Sequence, residues 1–202
     1  RQTSMATKSY GETEKRIIKF LSPADVKGTG LLIFDYENDD DAMWIYMPAI
    51  RKTRRIVSSE KSNSFMGSEF TNADMATSSI NDFDYQTLGS RIINGTNCYE
   101  IKALPVNDDV SDKEGYSKKV IYIGKTDFVM RRVVFYDLDG ELLKILNVEE
   151  IKMIDTKNKT YLATNMTMEN LQTGRKSVIN MDEYQLNNSL SDSYFTTDYL
   201  EE

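Results

Sequence analysis

The chain has 202 residues, of which 40% are hydrophobic and 28% are charged, as in an ordinary globular protein. Its formal net charge of −7 opposes nucleic acid and anionic lipid surfaces as bulk partners, so no nucleic-acid role is expected. The sequence contains no histidine and a single cysteine, Cys98, which excludes Ser-His-Asp and Cys-His catalysis, most zinc sites and an intrachain disulfide. No catalytic residue and no cofactor are therefore predicted.

Strand-length apolar runs separated by turn residues dominate the first part of the chain. They predict strands over residues 15–21, 31–36, 43–47 and 51–58. Ser22-Pro23, the glycines at 28 and 30, and the acidic turn 38–41 separate these runs. No apolar run reaches eighteen residues, so no membrane-spanning helix is predicted.

Three later pairs of runs predict β-hairpins. Asn94-Gly95 joins 85–93 to 96–104, Asp139-Gly140 joins 129–138 to 141–150, and Thr173-Gly174 joins 161–171 to 176–186. Asn-Gly and Asp-Gly permit the positive φ angles that two-residue hairpin turns require. Helix signals are thin, and residues 64–76 and 192–200 predict only brief turns or a short closing element. The fold class is therefore mainly β, an antiparallel meander in one domain over residues 1–202.

Several predicted strands are apolar on both faces, as in residues 43–47, 120–123 and 133–136. Either protein covers both faces, or one face lines an apolar cavity that holds lipid. Alternation along each strand then predicts which side chains bind lipid, although a slip of one residue would reverse every choice. The predicted lipid-binding residues are Met43, Ile45, Met47, Ile121, Ile123, Val134, Tyr136, Met166 and Met168.

Four apolar residues of the glycine-interrupted segment 64–76 suit a small lid over the cavity mouth. They are Phe65, Met66, Phe70 and Met75, and their irregular spacing equally suits a plug that leaves no cavity. Arg51, Arg54 and Arg55 suggest a docking strip for lipid headgroups or an acidic partner, or else an ordinary solvated strand.

Three acidic clusters could hold Ca²⁺ or Mg²⁺, because carboxylates are the ligands these ions prefer. They are Asp39, Asp40 and Asp41; Asp108 and Asp109 with Asp112; and Asp137 with Asp139. A bound ion would support an alternative function, a metal-assisted phospholipid hydrolase. Each cluster also falls at a predicted turn, where Asp is favoured for backbone reasons alone.

A set of short motifs resembles the bacterial outer-membrane lipoprotein-sorting proteins, within the superfamily of LolA, LolB and RseB. The motifs are Leu21 to Leu32 (LSPADVKGTGLL), Trp44 to Ala49 (WIYMPA) with Arg51, Arg54 and Arg55, Ser64 to Ser68 (SFMGS) with Phe70, Asp74 and Met75, Leu142-Leu143-Lys144, Asn170-Leu171, Thr173-Gly174, Phe195-Thr196 and Tyr199-Leu200. The likeness covers residues 15–202.

The resemblance implies a half-open β-barrel with short lid helices and a cavity for lipid or lipoprotein acyl chains. It also implies export to the periplasm or cell envelope, either as a free protein or as a lipoprotein tethered to the membrane, with an envelope transport pump as a candidate partner. Some members of the superfamily bind partner proteins, which implies a further alternative, an envelope sensor or scaffold. Family members commonly carry an N-terminal helix before the first strand, whereas this sequence starts almost at a strand.

Overall fold

The computed structural model describes residues 1–186 and 189–202. Contacts divide the chain into two compact units that alternate along the sequence. Unit 1 comprises Arg1–Lys61, Ala76–Ser79 and Leu186–Glu202, and unit 2 comprises Ser62–Met75 and Ile80–Gln185. The prediction that residues 1–202 form one domain stays a prediction.

The described residues form strands, two short α-helices and four 3-10 turns, so the predicted mainly β class is confirmed. The strands are β1 (Gln2–Ser9), β2 (Thr13–Ser22), β3 (Gly30–Tyr36), β4 (Ala42–Met47), β5 (Lys52–Ile56), β6 (Phe83–Ile93), β7 (Thr96–Pro105), β8 (Lys118–Gly124), β9 (Met130–Tyr136), β10 (Leu142–Asp155), β11 (Thr160–Asn170) and β12 (Lys176–Asn180). The helices are α1 (Asp108–Glu114) and α2 (Thr197–Glu201), and the 3-10 turns are Ser58–Glu60, Ala73–Met75, Ile80–Asp82 and Asp192–Phe195.

Unit 1 is an antiparallel sheet in the order β1-β2-β3-β4-β5. Leu31, Leu32 and Ile33 are consecutive and fully buried, so both sides of β3 are covered. On one side, the C-terminal segment places Phe195 and Leu200 against Leu32. Burying each of these large apolar side chains contributes roughly 1.5–3 kcal/mol, which holds the C-terminal segment on the sheet.

Strand β1 was not predicted, because residues 2–9 are mostly polar and show no apolar run. The strand forms by pairing with β2, where Met5 lies opposite Ile18 and Ala6 opposite Ile17. Gly11, with φ of +78°, sits in the connection between them. The predicted strands at 15–21, 31–36, 43–47 and 51–58 correspond to β2, β3, β4 and β5.

Unit 2 is a seven-stranded antiparallel sheet whose strands lie in sequence order from β6 to β12. Asn94 and Gly95 have φ angles of +47° and +78°, so the predicted two-residue turn is confirmed. The second hairpin differs, because β9 ends at Tyr136 and β10 begins at Leu142. There Asp137 accepts hydrogen bonds from the backbone N–H groups of Asp139 and Glu141, which stabilises a longer loop. The Thr173-Gly174 loop is also longer than two residues, since β11 ends at Asn170 and β12 begins at Lys176.

Helix α1 was not predicted. The Asn107 side chain caps it by accepting a hydrogen bond from the Val110 N–H at 2.9 Å, and Gly115 ends it in the left-handed conformation. Asp108 and Asp109 occupy its first turn, where the positive end of the helix dipole favours negative charge.

Candidate functional site

The two faces of the seven-stranded sheet are both apolar, and each carries a buried cluster. Directly opposed residues of antiparallel strands share a face, which places Ile121, Val133, Leu146 and Met168 together on what we call face 1. Val133, Leu146 and Met168 are buried there, while Ile121, Met130, Met166 and Ile179 at their flanks remain partly exposed. Face 1 is thus an apolar surface that protein covers only in part.

The predicted lipid-binding residues of unit 2 do not all share this face. Ile121, Ile123, Met166 and Met168 lie on face 1, as the alternation predicted. Val134 and Tyr136 lie on the opposite side, face 2, where they pack near Val120 and Tyr122. Val134 and Tyr136 therefore do not share a face with Ile121 as the alternation predicted, because the apolar residues at 133–136 offer no polar position that marks one side. Their role in lipid binding stays a prediction.

Met43, Ile45 and Met47 belong to unit 1 and share one side of β4. Met43 and Ile45 are buried, and Met47 is partly exposed. Trp44 and Tyr46 point to the other side, where they pack against the cluster of Leu32, Phe195 and Leu200. The predicted alternation of β4 is therefore confirmed, and the role of these side chains in lipid binding stays a prediction.

The predicted lid residues lie in the segment Ser62–Met75, which we call the lid segment. Its first part is a tight hairpin in which Ser64 bridges to Thr71 and Phe65 N donates to Phe70 O at 2.8 Å. Met66, with φ of +52°, is at the turn. Phe65 and Phe70 are buried. Phe70 belongs to the face 1 cluster and Met75 packs against it, so the lid segment covers part of face 1.

A buried polar cluster fixes the lid segment to the sheet. Lys144 of β10 donates to the Asp74 carboxylate at 3.0 Å and to the Glu69 carbonyl at 2.8 Å. The Tyr116 hydroxyl donates to the same carboxylate at 3.0 Å. Burial and then the charge of Asp74 raise the pKa of Tyr116 well above its ordinary value, so the hydroxyl remains a donor. Because these groups are desolvated, their hydrogen bonds are required for the segment to stay in place.

Lys144 also lies over aromatic rings, with its Nζ 4.9 Å from the ring centre of Tyr116 and 5.3 Å from that of Phe135. Lys119 approaches Phe135 as well and pairs with Glu114 of α1. Neither lysine was predicted from the sequence to belong to a site. The available signal was the alternation of β10, which puts Lys144 on the same side as Leu146 and Val148 and therefore demands a buried acidic partner.

Glu69 gives the lid segment a second attachment, to the end of the sheet formed by β11 and β12. Its N–H donates to Ser177 Oγ at 3.0 Å, and its carboxylate accepts from Asn170 Nδ2 at 3.0 Å. The Arg175 guanidinium lies 3.1 Å from the same carboxylate. The lid segment is therefore attached to the sheet at Glu69 and at Asp74.

The predicted docking strip is not one surface. Arg54 and Arg55 are adjacent residues of β5, so they point to opposite sides of the sheet, and Arg51 lies in the preceding turn. Arg54 donates two hydrogen bonds to Glu60, at 2.9 and 2.7 Å, and these bonds lower the pKa of Glu60. The charge of Arg54 is thus already paired, and docking by these arginines stays a prediction.

The predicted acidic clusters lie in turns and in α1, and Asp137 accepts backbone hydrogen bonds in the β9–β10 loop. Asp41 lies 3.7 Å from the buried Lys61 ammonium, while Asp39 and Asp40 are in the turn before β4. Asp108, Asp109 and Asp112 belong to α1. Within residues 1–186 and 189–202, no three His, Cys, Asp or Glu side chains are grouped so that they could hold a metal ion. The metal-assisted hydrolase therefore stays a hypothesis without support from the geometry.

The chain is similar to solved structures over nearly its whole length. One is a domain assigned to the outer membrane lipoprotein-sorting proteins, from Vibrio parahaemolyticus, with 29% identity, a TM-score of 0.90, and coverage of 98% of this chain and 82% of that one. A DUF1329 family protein from Desulfovibrio piger has 32% identity and a TM-score of 0.88, with coverage of 97% and 82%. A LolA superfamily protein from Nitrosomonas europaea has 22% identity and a TM-score of 0.67, with coverage of 98% and 88%, and shows a shared fold alone.

No curated protein matches the chain. In the part of the chain that the structure describes, no helix is long and apolar enough to cross a bilayer. A family model described as "-like: Uncharacterized protein" matches residues 12–202. The predicted resemblance to the lipoprotein-sorting proteins and the predicted LolA-like fold are thereby confirmed. With this family match and 32% identity to the Desulfovibrio piger protein over almost the whole chain, the protein belongs to the DUF1329 family and has a LolA-like fold.

Proposed function

We propose that this protein is a carrier or binding protein of the cell envelope that holds lipid or lipoprotein acyl chains against face 1. The observation that carries the proposal is the partial cover of this face. Ile121, Ile123 and Met166 are apolar side chains of this face that remain partly exposed. A partly exposed apolar surface of this kind favours the binding of an apolar ligand.

The chemistry of face 1 suits hydrocarbon chains of differing length. Met130 and Met166, which are partly exposed, supply flexible, polarizable side chains that adapt their shape to a ligand. Each methylene group that a ligand buries contributes about 0.8 kcal/mol, so a chain of ordinary acyl length gains enough to bind after its entropy cost. The lid segment shields the centre of the face and leaves its flanks for the ligand.

The relative from Vibrio parahaemolyticus supports a location in the envelope, since that protein is assigned to the outer membrane lipoprotein-sorting proteins. We place the present protein in the periplasm or at the envelope surface on that basis, with a transport pump as the expected partner. A protein partner in a sensing or scaffolding role stays a separate hypothesis, which capture from an envelope extract tests directly.

A pair of matched substitutions tests the role of face 1. Ile123 lies on face 1 and Ile145 on face 2, and both are partly exposed. We expect Ile123→Asn to weaken the binding of a fluorescent fatty acid about tenfold, because it places an amide in the path of the chain, and Ile145→Asn to leave affinity within about twofold.

Circular dichroism of both variants checks that each one is folded. Equal loss of affinity in the two variants would contradict the assignment of the ligand to face 1. A folded wild-type protein that binds no fatty acid, phospholipid or lipopeptide in this assay would reject the carrier function.

A further inference from the structure

One end of the seven-stranded sheet exposes large apolar side chains to solvent. The β6–β7 turn, Asn94-Gly95, and the β8–β9 turn, residues 125–129, lie side by side there, since Lys125 N donates to Asn97 O at 3.0 Å. Ile92 beside the first turn is 71% exposed, and Phe128 in the second is 72% exposed. Among the large apolar side chains that the structure describes, none is more exposed than Phe128.

The β8–β9 turn holds Phe128 in this exposed position. Phe128 has φ of +56°, a conformation that bulky residues rarely adopt. Its N–H donates to Gly124 O at 3.0 Å, and Gly124 N donates to Val129 O at 2.9 Å. The Asp127 carboxylate closes the turn by accepting from Val129 N and pairing with Arg131. A turn with this many internal bonds presents the aromatic ring outward as a fixed feature.

The exposed end is also locally cationic, in contrast to the chain as a whole. Residues 90–100 and 124–132 contain four cations and two carboxylates, whereas the complete chain has a net charge of −7. The cations are Arg91, Lys125, Arg131 and Arg132, and the carboxylates are Glu100 and Asp127. Arg91 lies 3.6 Å from Glu100, and Lys125 is 5.0 Å from the ring centre of Tyr99. Apolar side chains flanked by cations are the composition that adsorbs to anionic bilayers.

This end is continuous with face 1. Ile92 lies opposite Asn97 and Ser90 opposite Tyr99, which puts Ile92 and Tyr99 on the face that carries Ile101 and Ile123. We call Ile92, Tyr99 and Phe128 the apolar tip. We propose that the apolar tip docks on the surface of an anionic lipid bilayer, where it brings face 1 to the source or destination of an acyl chain. This inference deepens the proposed carrier function and rests on it.

Vesicle sedimentation tests the docking. The probe is a vesicle of equal parts phosphatidylglycerol and phosphatidylethanolamine, compared with a vesicle of phosphatidylcholine alone. We expect the wild-type protein to sediment with the anionic vesicles, less so at high salt, and hardly with the neutral ones. Phe128→Ser and Ile92→Ser should each lower the partition coefficient about tenfold, because each removes apolar surface that the bilayer would bury.

Ile80→Ser is the matched control. Ile80 is also 71% exposed, but it precedes β6 at the opposite end of the sheet. Its substitution should leave the partition coefficient within about twofold, since its side chain faces away from the docked membrane. An equal loss in Ile80→Ser, or no sedimentation of the wild-type protein with anionic vesicles, would overturn the proposal.

A second copy of the chain is the competing occupant of the apolar tip. Light scattering that shows a dimer dissociated by Phe128→Ser, with no vesicle binding, would overturn membrane docking in favour of self-association. The fatty-acid assay in vesicle-free solution separates this inference from the proposed function. Phe128→Ser should bind the fatty acid as the wild type does, whereas a wild-type protein that sediments with anionic vesicles but binds no fatty acid would reject the carrier function alone.

Discussion

Replacing Asp74 by alanine tests whether the buried polar cluster fixes the lid segment on face 1. In the folded protein the Asp74 carboxylate accepts hydrogen bonds from Lys144 Nζ and Tyr116 OH, each at 3.0 Å, and from Thr71 N at 2.8 Å. The substitution removes the acceptor for all three donors. Lys144 is then left as a buried ammonium with the Glu69 carbonyl as its remaining named acceptor.

The expected cost follows from the burial of the pair. Removing one partner of a buried ion pair costs about 3–5 kcal/mol, because the remaining charge is desolvated without compensation. For a chain of this size that corresponds to a fall in Tm of roughly 6–20 °C. Replacing both partners, in Asp74→Ala with Lys144→Met, removes the stranded charge, so the double variant should recover about 1–3 kcal/mol relative to the sum of the single variants.

Urea unfolding of the wild type, Asp74→Ala, Lys144→Met and the double variant measures the coupling between Asp74 and Lys144. Hydrogen exchange then shows which part of the fold is destabilised. Amides of the lid segment should lose protection in Asp74→Ala at lower denaturant than those of β6 and β7. Asp84→Ala is the control, since Asp84 is exposed on β6, and it should change the free energy of unfolding by no more than about 0.5 kcal/mol. A loss below about 1 kcal/mol in Asp74→Ala, or strict additivity in the double variant, would refute the role assigned to the cluster.

Two further predictions concern unit 1. A Cβ on Gly30 would lie 2.6 Å from Leu200 Cδ1, so Gly30→Ala should destabilise the protein by about 1–3 kcal/mol and expose the C-terminal segment to protease. Combining Gly30→Ala with Leu200→Ala should cost less than the sum of the two single substitutions, because the smaller side chain makes room for the Cβ. Additive costs would contradict the close contact. Asp35 is 6% exposed and its nearest cation, Arg16 Nη2, is 3.9 Å away, so burial raises the pKa of Asp35 and its charged form costs stability at neutral pH. Asp35→Asn should therefore raise the free energy of unfolding, measured in urea at neutral pH, by about 1 kcal/mol. The gain should shrink as the pH falls through the raised pKa and disappear below the ordinary Asp pKa, where the wild-type carboxyl is protonated in the folded and the unfolded protein. A loss of stability in Asp35→Asn would show that the attraction of Arg16 outweighs desolvation.

Features encoded by neighbouring residues were predictable from the sequence. The Asn94-Gly95 turn follows from the φ angles that these two residue types tolerate, and the strands that flank it follow from their apolar runs. The side-by-side placement of Met43 and Ile45 follows from the two-residue period of a strand. These properties require no knowledge of the rest of the chain.

Alternation alone states which residues share a side, but not which side is covered. Val134 and Tyr136 show the difference, because the neighbouring Val133 and Phe135 are equally apolar and the pattern does not state which of the two pairs packs under the lid segment. Strand β1 is a second example, since its polar residues become a strand only by pairing with β2. In both cases the deciding contact is made by another segment of the chain.

The sequence by itself determined the class of fold, most strand positions and the family. These depend on the spacing of apolar residues, on turn residues and on short motifs, each of which involves only neighbouring residues of the chain. Only the tertiary structure decided that Lys144 is buried against Asp74, seventy positions away, and that Phe128 is displayed beside Ile92 at one end of the sheet. The physical reason is that burial and charge pairing depend on which distant segments exclude water from a side chain, and strand pairing sets that arrangement.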